Sequence, residues 1–195
     1  MGKIKSVAVY CASSSQVRSS FFQEAYRLGE CLAENGIRLV YGDGGIGLMG
    51  KLAEGALAHN GEVVGVIPRF MVDQGWNNPQ STQTIVVETM HERKAIIEKM
   101  VDGMVAMPGG VGTFEELLEC LTWKQLGLHV KPVVILNVDG YYDPLLECLH
   151  KMVEEKMLRE IHLQMFQVVR HADEVIPALE NAFPWDSSIR RAAAI

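Results

Sequence analysis

The sequence predicts a single-domain α/β fold, in which helices cover both faces of one doubly wound parallel sheet. Short, continuously apolar segments alternate with amphipathic segments, as expected when parallel strands are buried on both faces. The chain has 195 residues, of which 48% are hydrophobic and 22% are charged, a balance typical of a globular domain with a full core. Together these observations predict a Rossmann-like sheet, which binds ligands at the carboxyl ends of its strands.

Apolar runs and helical periodicity divide the first third of the chain into five elements. The apolar runs predict strands at Ser6–Cys11, Arg38–Tyr41 and Glu62–Ile67. Periodic segments between them predict helices at Ser19–Asn35 and about Leu48–Asn60. Each helix ends at an asparagine that a glycine follows, and this pair is common at helix C-termini.

A long polar segment, Arg69–Gln83, then interrupts the alternation, and we expect it to be either a functional loop or a disordered one. Beyond it, apolar runs predict strands at Thr84–Val87, Gly103–Met107, Val133–Leu136 and Gln167–Val169. Periodic segments predict helices at Met90–Val101, Thr113–Leu126, Tyr142–Glu155 and Ala172–Ala182. We therefore expect one domain over residues 1–183 and a flexible tail at 184–195.

Charge, hydropathy and cysteine spacing exclude several classes of function. A formal net charge of −6 disfavours nucleic acid as a partner, because the surface as a whole repels phosphate. No apolar run approaches the roughly 20 residues that span a bilayer, and the chain starts without the apolar core of a signal peptide. The four cysteines are widely spaced, which predicts reduced thiols rather than disulfides or a zinc site. We expect a cytoplasmic protein without a structural metal or a membrane partner.

The first glycine-rich segment follows the second predicted strand. Gly42, Gly44 and Gly47 fit the G-x-G-x-x-G pattern of dinucleotide sites. The acidic residue expected at the end of the next strand is absent, since that strand ends at Pro68 and Arg69. A tight turn that contacts a ligand is therefore favoured over a nicotinamide site, which stays as an alternative.

The second glycine-rich segment, Pro108-Gly109-Gly110-Val111-Gly112-Thr113, joins a predicted strand to a predicted helix. Three glycines let backbone N–H groups curl around an anion, and the helix start adds unpaired donors and the positive end of the helix dipole. The Gly-Lys-Ser/Thr ending of an ATP-binding P-loop is absent. A second interpretation is purely structural: Thr113 and Glu116 have the spacing of a capping box.

Four segments together resemble the LONELY GUY family of cytokinin-activating phosphoribohydrolases, many of whose members carry a lysine decarboxylase label. The pattern Pro-Gly-Gly-x-Gly-Thr-x-x-Glu, here Pro108–Glu116, is the hallmark of that family. The resemblance extends to Met90–Lys94, to Tyr41–Gly50 and to Tyr10–Ser15, and it covers most of the chain. Family members more often have glycine in place of Ala12 and Asp43.

The resemblance implies a homodimeric, Rossmann-like nucleotide-binding catalytic domain that needs no cofactor. The implied substrates are AMP and N6-modified adenosine monophosphates, and the implied products are a free base and ribose 5-phosphate. The catalytic pair falls on Arg93 and Glu116. The implied substrate contacts are the loop residues Gly109, Gly110, Val111, Gly112 and Thr113, together with Lys94, Glu115, Thr122, Gly45 and Ser14.

These residues suit hydrolysis of an N-glycosidic bond, which passes through a cationic sugar. We expect Glu116 to stabilise that cation or to orient the attacking water. Arg93 would hold the ribose hydroxyls, hold the phosphate, or stabilise charge on the departing base. A structural alternative places Arg93 on a surface helix with a Thr89–Glu92 capping box and an exposed Lys94–Glu98 pair.

Two further activities are weighed against hydrolysis. A carrier of the same fold, resembling those that hold molybdenum cofactor, would bind a phosphorylated ligand without reacting it, but it would not need the pair formed by Arg93 and Glu116. Lysine decarboxylation is disfavoured, because it needs pyridoxal phosphate on a Schiff-base lysine and no lysine here is marked for that role.

Overall fold

Seven strands form one fully parallel sheet in the computed structural model, which describes residues 4–189. Their order across the sheet is β4-β3-β2-β1-β5-β6-β7, so the predicted doubly wound fold is confirmed. The strands are β1 (Ser6–Tyr10), β2 (Arg38–Tyr41), β3 (Val63–Pro68), β4 (Gln83–Val87), β5 (Gly103–Ala106), β6 (Val133–Leu136) and β7 (Gln167–Val169).

Helices connect successive strands, as a parallel sheet requires. They are α1 (Ser19–Glu34), α2 (Gly47–Ala58), α3 (Arg69–Asp73), α4 (Met90–Met100), α5 (Val111–Gln125), α6 (Asp143–Glu154) and α7 (Val175–Glu180). Within residues 4–189, every helix is too short or too polar to cross a lipid bilayer.

Alternate residues of the central strand enter two separate cores. Val7 and Val9 pack with α1, α2 and α7 on one face of the sheet. Ala8 and Tyr10 pack with α4, α5 and α6 on the other face. Burial on both faces explains why the strands are continuously apolar in sequence.

The direction of winding reverses between β1 and β5. From β1 the chain builds outward through β2, β3 and β4, and it then returns to the other side of β1 to form β5, β6 and β7. The connections that leave the carboxyl ends of β1 and β5 therefore diverge and open a crevice between them. This crevice receives the segment after β1 and the glycine-rich segment after β5.

Three predicted elements differ from the structure. The predicted loop Arg69–Gln83 begins with the short helix α3. The helix predicted to start at Thr113 starts at Val111, so the glycine-rich segment forms its first turn. The predicted flexible tail starts with a docked residue, because Trp185 is buried and its indole N–H donates to the carbonyl of Lys124 at 2.8 Å. Residues 190–195 of that tail lie outside the described residues.

Helices α1 and α2 approach closely because glycine faces backbone at their contact. A β-carbon on Gly29 would lie 2.1 Å from the carbonyl oxygen of Leu52, and one on Gly55 would lie 2.1 Å from the carbonyl oxygen of Tyr26. Any side chain at either position must push the two helices apart. By contrast, a β-carbon on Gly112 in α5 would meet no atom within 4 Å.

We expect Gly55→Ala to destabilise the fold by about 1–3 kcal/mol, the usual cost of overpacking a tight contact. Gly112→Ala is the matched control, which we expect to be neutral or to stabilise by up to about 1 kcal/mol, since alanine favours helix. The free energy of unfolding, measured by denaturant titration, checks both. Equal effects of the two substitutions would contradict the role of Gly55 in packing.

Candidate functional site

A cleft of about 380 Å³ lies at the carboxyl ends of β1 and β5, where the sheet changes its direction of winding. One wall is the segment Tyr10–Ser13 after β1, and the opposite wall is the first turn of α5. Arg93, Glu115 and Glu116 form the charged part of the lining, and three methionines form much of the remainder. The fold thus brings the predicted catalytic pair and the second glycine-rich segment into one cleft.

Helix α4 places Arg93 in this cleft. The helix begins with the predicted capping box, in which the Thr89 hydroxyl accepts from the Glu92 N–H at 3.1 Å and the Glu92 carboxylate accepts from the Thr89 N–H at 3.3 Å. One residue later Arg93 points inward, with only 8% of its surface exposed. The capping box is therefore confirmed, while the surface position that it suggested for Arg93 is wrong.

The Arg93 guanidinium connects three elements of the fold. Its Nε donates to the Val66 carbonyl of β3 at 3.0 Å, and its Nη1 donates to Glu116 Oε1 at 2.9 Å. Its Nη2 occupies the space beside Gly42, where a β-carbon would lie 2.0 Å from it. Gly42 is thus required by the arginine, which the sequence pattern of the first loop did not reveal.

Glu116 lies on α5 and is as buried as its partner, with 8% exposure. Burial raises the pKa of this carboxyl, and Arg93 opposes the shift by stabilising the ionised form. Breaking a buried pair of this kind leaves one uncompensated charge, so the two groups hold each other in place. The arrangement presents one carboxylate and one guanidinium, both largely removed from water, to any molecule in the cleft.

The glycine-rich segment forms an amide cradle at the start of α5. Among the described residues, the N–H groups of Gly110, Val111, Gly112 and Thr113 have no hydrogen-bond acceptor, and the first bond of the helix runs from the Phe114 N–H to the Gly110 carbonyl. No atom lies within 4 Å of the positions that β-carbons on Gly110 and Gly112 would take. Unpaired donors at a helix N-terminus, with open space in front of them, suit an anion.

Two contacts orient this amide cradle from behind. The Tyr141 hydroxyl donates to the Gly109 carbonyl at 2.5 Å, which turns that oxygen toward Tyr141 and the N–H of the same peptide group, on Gly110, to the opposite side. Thr113 is buried against Gly109, where a β-carbon would lie 2.1 Å from the threonine hydroxyl oxygen. Tyr141 carries no motif signature in the sequence, and only the fold brings it to the loop.

The capping box proposed for Thr113 and Glu116 is wrong. Helix α5 has Gly110 as its N-cap and no side-chain capping bond, because it starts two residues earlier than the sequence pattern indicated. The Glu116 carboxylate pairs with Arg93 instead.

In the first glycine-rich loop, two backbone donors at the start of the following helix are already paired within the protein. The N–H groups of Leu48 and Met49, at the start of α2, both donate to the Ala12 carbonyl at 3.0 and 3.3 Å. Gly47 has a φ of +66°, and a β-carbon there would lie 2.4 Å from the Ser13 carbonyl oxygen. Gly47 therefore serves close packing against the segment after β1, which disfavours the nicotinamide alternative.

Lys94 points toward α5 rather than into the cleft. Its ammonium donates to Glu115 at 2.5 Å and to Glu119 at 3.0 Å. Burial by itself would lower the pKa of Lys94, but these two carboxylates raise it. The lysine remains charged and links α4 to α5, and the exposed Lys94–Glu98 pair considered from sequence is wrong, because Glu98 pairs with Lys131.

Three other predicted contacts lie outside the cleft lining in this chain. The Thr122 hydroxyl is exposed and donates to the Leu118 carbonyl at 2.7 Å. Ser14 is exposed and accepts from the Gln16 N–H, while its neighbour Ser13 lines the cleft. Gly45 lines a second, adjoining hollow.

This apolar hollow, of about 540 Å³, continues the cleft past Arg93. The hollow and the cleft share five lining residues: Ser13, Gly42, Met49, Met71 and Arg93. The hollow adds mainly apolar groups: Gly44, Gly45, Ile46, Ile67, Gly75, Trp76, Asn77 and Pro79. The predicted functional loop Arg69–Gln83 thus supplies one wall. The sequence marked this segment as a functional or disordered loop, but it has no periodic pattern that indicates which element Trp76 and Pro79 would face.

A possible metal-binding group lies elsewhere. Within residues 4–189, ligand atoms of Glu30, Glu34 and His59 lie within 4.8 Å of one another on α1 and just after α2. Arg27 pairs with Glu30 at 2.7 Å and with Glu34 at 3.7 Å, so an arginine already balances these charges. We assign no metal to this group. All four cysteines are free thiols, as predicted.

Comparison with known proteins identifies relatives over almost the whole chain. Residues 49–179 match the family model described as "Possible lysine decarboxylase". The chain is 38% identical over 182 residues to cytokinin riboside 5'-monophosphate phosphoribohydrolase LOG2 of Arabidopsis thaliana, covering 93% of this chain and 85% of the relative. It is 38% identical over 194 residues to the enzyme LOG of Oryza sativa subsp. japonica, covering 96% and 80%.

Solved structures with the same fold include more distant proteins. The molybdenum cofactor carrier protein of Chlamydomonas reinhardtii superposes with a TM-score of 0.69 at 21% identity, covering 93% of this chain and 98% of the carrier. The molybdenum cofactor binding protein of Rippkaea orientalis gives 0.68 at 20% identity, covering 92% and 97%. This likeness concerns the fold alone. On its sequence relatives, the chain belongs to the LOG family of cytokinin riboside 5'-monophosphate phosphoribohydrolases, whose family model carries the lysine decarboxylase description.

Proposed function

We propose that this protein binds a nucleoside 5'-monophosphate and hydrolyses its N-glycosidic bond, releasing the free base and ribose 5-phosphate. The observation that carries the proposal is the buried pair of Arg93 and Glu116 beside a helix N-terminus with unpaired amides. The relatives named as phosphoribohydrolases support the same reaction. The cleft offers both a grip for a phosphate and a carboxylate for the reacting sugar.

The phosphate is assigned to the amide cradle formed by Gly110, Val111, Gly112 and Thr113. The helix dipole by itself supplies about 0.3–1 kcal/mol at an exposed site, so direct N–H donors must carry most of the binding. The phosphate is remote from the bond that breaks. Its binding energy orients the sugar toward Glu116, which lies one turn further along the same helix.

Glu116 is assigned to the sugar. In this role its carboxylate stabilises positive charge at the anomeric carbon or orients the water that attacks there. Arg93 counteracts part of the rise in the Glu116 pKa that burial causes, and it lines both the cleft and the apolar hollow. This position suits contact with ribose hydroxyls or with the departing base. Among the described residues that line the cleft and the hollow, none is a lysine that could carry pyridoxal phosphate, so decarboxylation is unsupported.

The base is assigned to the apolar hollow. Trp76, Ile46 and Met71 offer apolar surface to a purine ring and to an apolar substituent on its N6. We propose both AMP and N6-modified adenosine monophosphates as substrates on this ground. We also propose a cytoplasmic location, because four free thiols suit a reducing compartment.

A homodimer is proposed from one face of α5 and the segment that follows it. Val111, Leu118 and Leu126 form an exposed apolar stripe along the helix, and Leu128 and Val130 extend it. Exposed apolar surface of this extent commonly marks an interface. Thr122 lies on the same stripe, so a second copy docked here would cover it.

Glu116→Gln preserves the size of the side chain and removes its charge. We expect it to lower the rate of base release from AMP and isopentenyl-AMP by about 100-fold or more, the usual worth of a positioned acid–base group. Chromatography of free base and ribose 5-phosphate measures the rate. Glu119→Gln, one turn further along α5 and paired with Lys94, is the matched control and should stay near the wild-type rate.

The same assay separates hydrolysis from a carrier function. If the wild-type protein retains AMP through a prolonged incubation and no base appears, the protein is a carrier and the catalytic assignment of Glu116 fails. Wild-type activity in Glu116→Gln would leave hydrolysis in place but would move the reacting carboxylate elsewhere.

The phosphate grip predicts a strong preference for nucleotide over nucleoside. We expect kcat/KM for adenosine to be at least about 100-fold below that for AMP, since the donors of the amide cradle then bind nothing. Tyr141→Phe removes the hydroxyl that orients Gly109 and should raise KM for AMP without changing its rate on adenosine. Similar values for AMP and adenosine in the wild-type protein would contradict the assignment of the amide cradle.

A single charged side chain introduced into the apolar stripe of α5 tests the proposed dimer interface. We expect the wild-type protein to have twice the 21.6 kDa mass of one chain in light scattering, and Leu118→Glu to shift it to the monomer, because a buried unpaired charge opposes association. Met157→Glu changes an equally apolar side chain that is 70% exposed at the end of α6, and it should remain dimeric. A monomeric wild-type protein would contradict the proposal.

A further inference from the structure

Asp43 is a fully buried acidic residue in the first glycine-rich loop, immediately after β2. Its φ is +60°, a left-handed conformation that glycine and asparagine adopt more readily than most residues. Its carboxylate accepts from the Ser81 hydroxyl at 2.6 Å and from the Thr84 hydroxyl at 3.0 Å. It is not among the residues that line the cleft or the hollow.

The space for this carboxylate exists because β3 has a glycine at the facing position. A β-carbon on Gly65 would lie 1.9 Å from the Asp43 Oδ1 atom. Gly65 is paired with Tyr41 on β2 and with Thr84 on β4, so it lies within the sheet. The absence of a side chain at Gly65 therefore leaves the space that the Asp43 carboxylate occupies.

Asp43 also ties down the segment that forms one wall of the apolar hollow. Its carbonyl accepts from the Asn78 N–H at 2.7 Å, and the Gly45 N–H donates to the Trp76 carbonyl at 3.3 Å. The Asn78 amide donates to the Tyr41 hydroxyl, which lies 3.0 Å from the Ser81 hydroxyl. We call residues 76–79, which include the hollow-lining Trp76 and Pro79, the wall segment.

We propose that Asp43 is a positioning residue that sets the wall segment at a fixed distance from Gly44 and Gly45, and thereby determines which N6 substituents the hollow accepts. The inference rests on the proposed function for the identity of the ligand. Its physical basis is that three of the four hydrogen bonds between the first loop and the segment 76–84 use the Asp43 carboxylate or carbonyl, while the fourth joins Gly45 to Trp76. Without the carboxylate, the hydroxyls of Ser81 and Thr84 lose their shared acceptor and the wall is free to shift.

The test uses substitutions that keep the backbone conformation. Asp43→Gly removes the carboxylate while tolerating positive φ, and Asp43→Asn keeps an oxygen acceptor in the same place. We expect Asp43→Gly to lower the ratio of kcat/KM for isopentenyl-AMP to kcat/KM for AMP by about tenfold or more. The change should appear in KM, because the N6 substituent loses apolar contacts with a displaced wall segment. Asp43→Asn should restore most of the ratio.

Gly65→Ala tests the contact between Gly65 and the Asp43 carboxylate by changing the glycine instead of the aspartate. Its new methyl group displaces the Asp43 carboxylate, so it should reduce the ratio by itself. In the Asp43→Gly background it should add little, because the carboxylate it collides with is gone. Additive effects of the two substitutions, or an unchanged ratio in Asp43→Gly, would overturn the assignment.

A measurement independent of catalysis separates this inference from the proposed reaction. Acrylamide quenching of Trp76 fluorescence, obtained as the difference between each protein and its Trp76→Phe counterpart, should increase in Asp43→Gly and not in Asp43→Asn. Unchanged quenching in Asp43→Gly overturns the positioning role even if base release is normal. Increased quenching in a protein that releases no base supports the positioning role and rejects the reaction instead.

Discussion

The structure of the site depends on one buried ion pair between α4 and α5. Arg93 and Glu116 are each 8% exposed, and the guanidinium also binds the Val66 carbonyl of β3. Removing two charges from water costs more than their attraction commonly returns, so such a pair is poor support for stability. Its value here is chemical. Burial raises the pKa of the Glu116 carboxyl, Arg93 counteracts part of that shift, and the pair lies where the sheet opens.

Glycine creates the room that polar side chains need around this pair. Gly42 leaves space for the Arg93 guanidinium, and Gly109 leaves space for the Thr113 hydroxyl. Gly65, inside the sheet, does the same for the Asp43 carboxylate. Gly42 and Gly65 are thus required by side chains that come from other segments of the chain, and Gly109 by a side chain of its own glycine-rich segment. The two glycine-rich loops also differ in their amides: four at the start of α5 have no acceptor among the described residues, while those of Leu48 and Met49 at the start of α2 donate to the Ala12 carbonyl.

Sequence reasoning located the elements well and the site in part. Apolar runs in the sequence identified all seven strands. The motifs that resemble the family identified Arg93 and Glu116 as a candidate pair. The same reasoning gave Glu116 a capping partner in Thr113, because a capping box is recognised from residues that are close in the chain. Its real partner lies 23 residues away on another helix. No local pattern encodes a contact of that kind, and Tyr141 behind the Gly109 carbonyl was missed for the same reason.

The sequence by itself determined the fold class, because burial on both faces of a parallel sheet requires strands that are apolar throughout, and a sequence displays this directly. It also predicted an anion-binding turn after β5, because adjacent glycines before a helix let backbone N–H groups curl around an anion. Only the tertiary structure decided which helix start keeps its donors unpaired, which carboxylate Arg93 meets, and which wall the segment after β3 forms. These outcomes depend on side chains from separate elements that meet only when the sheet has assembled.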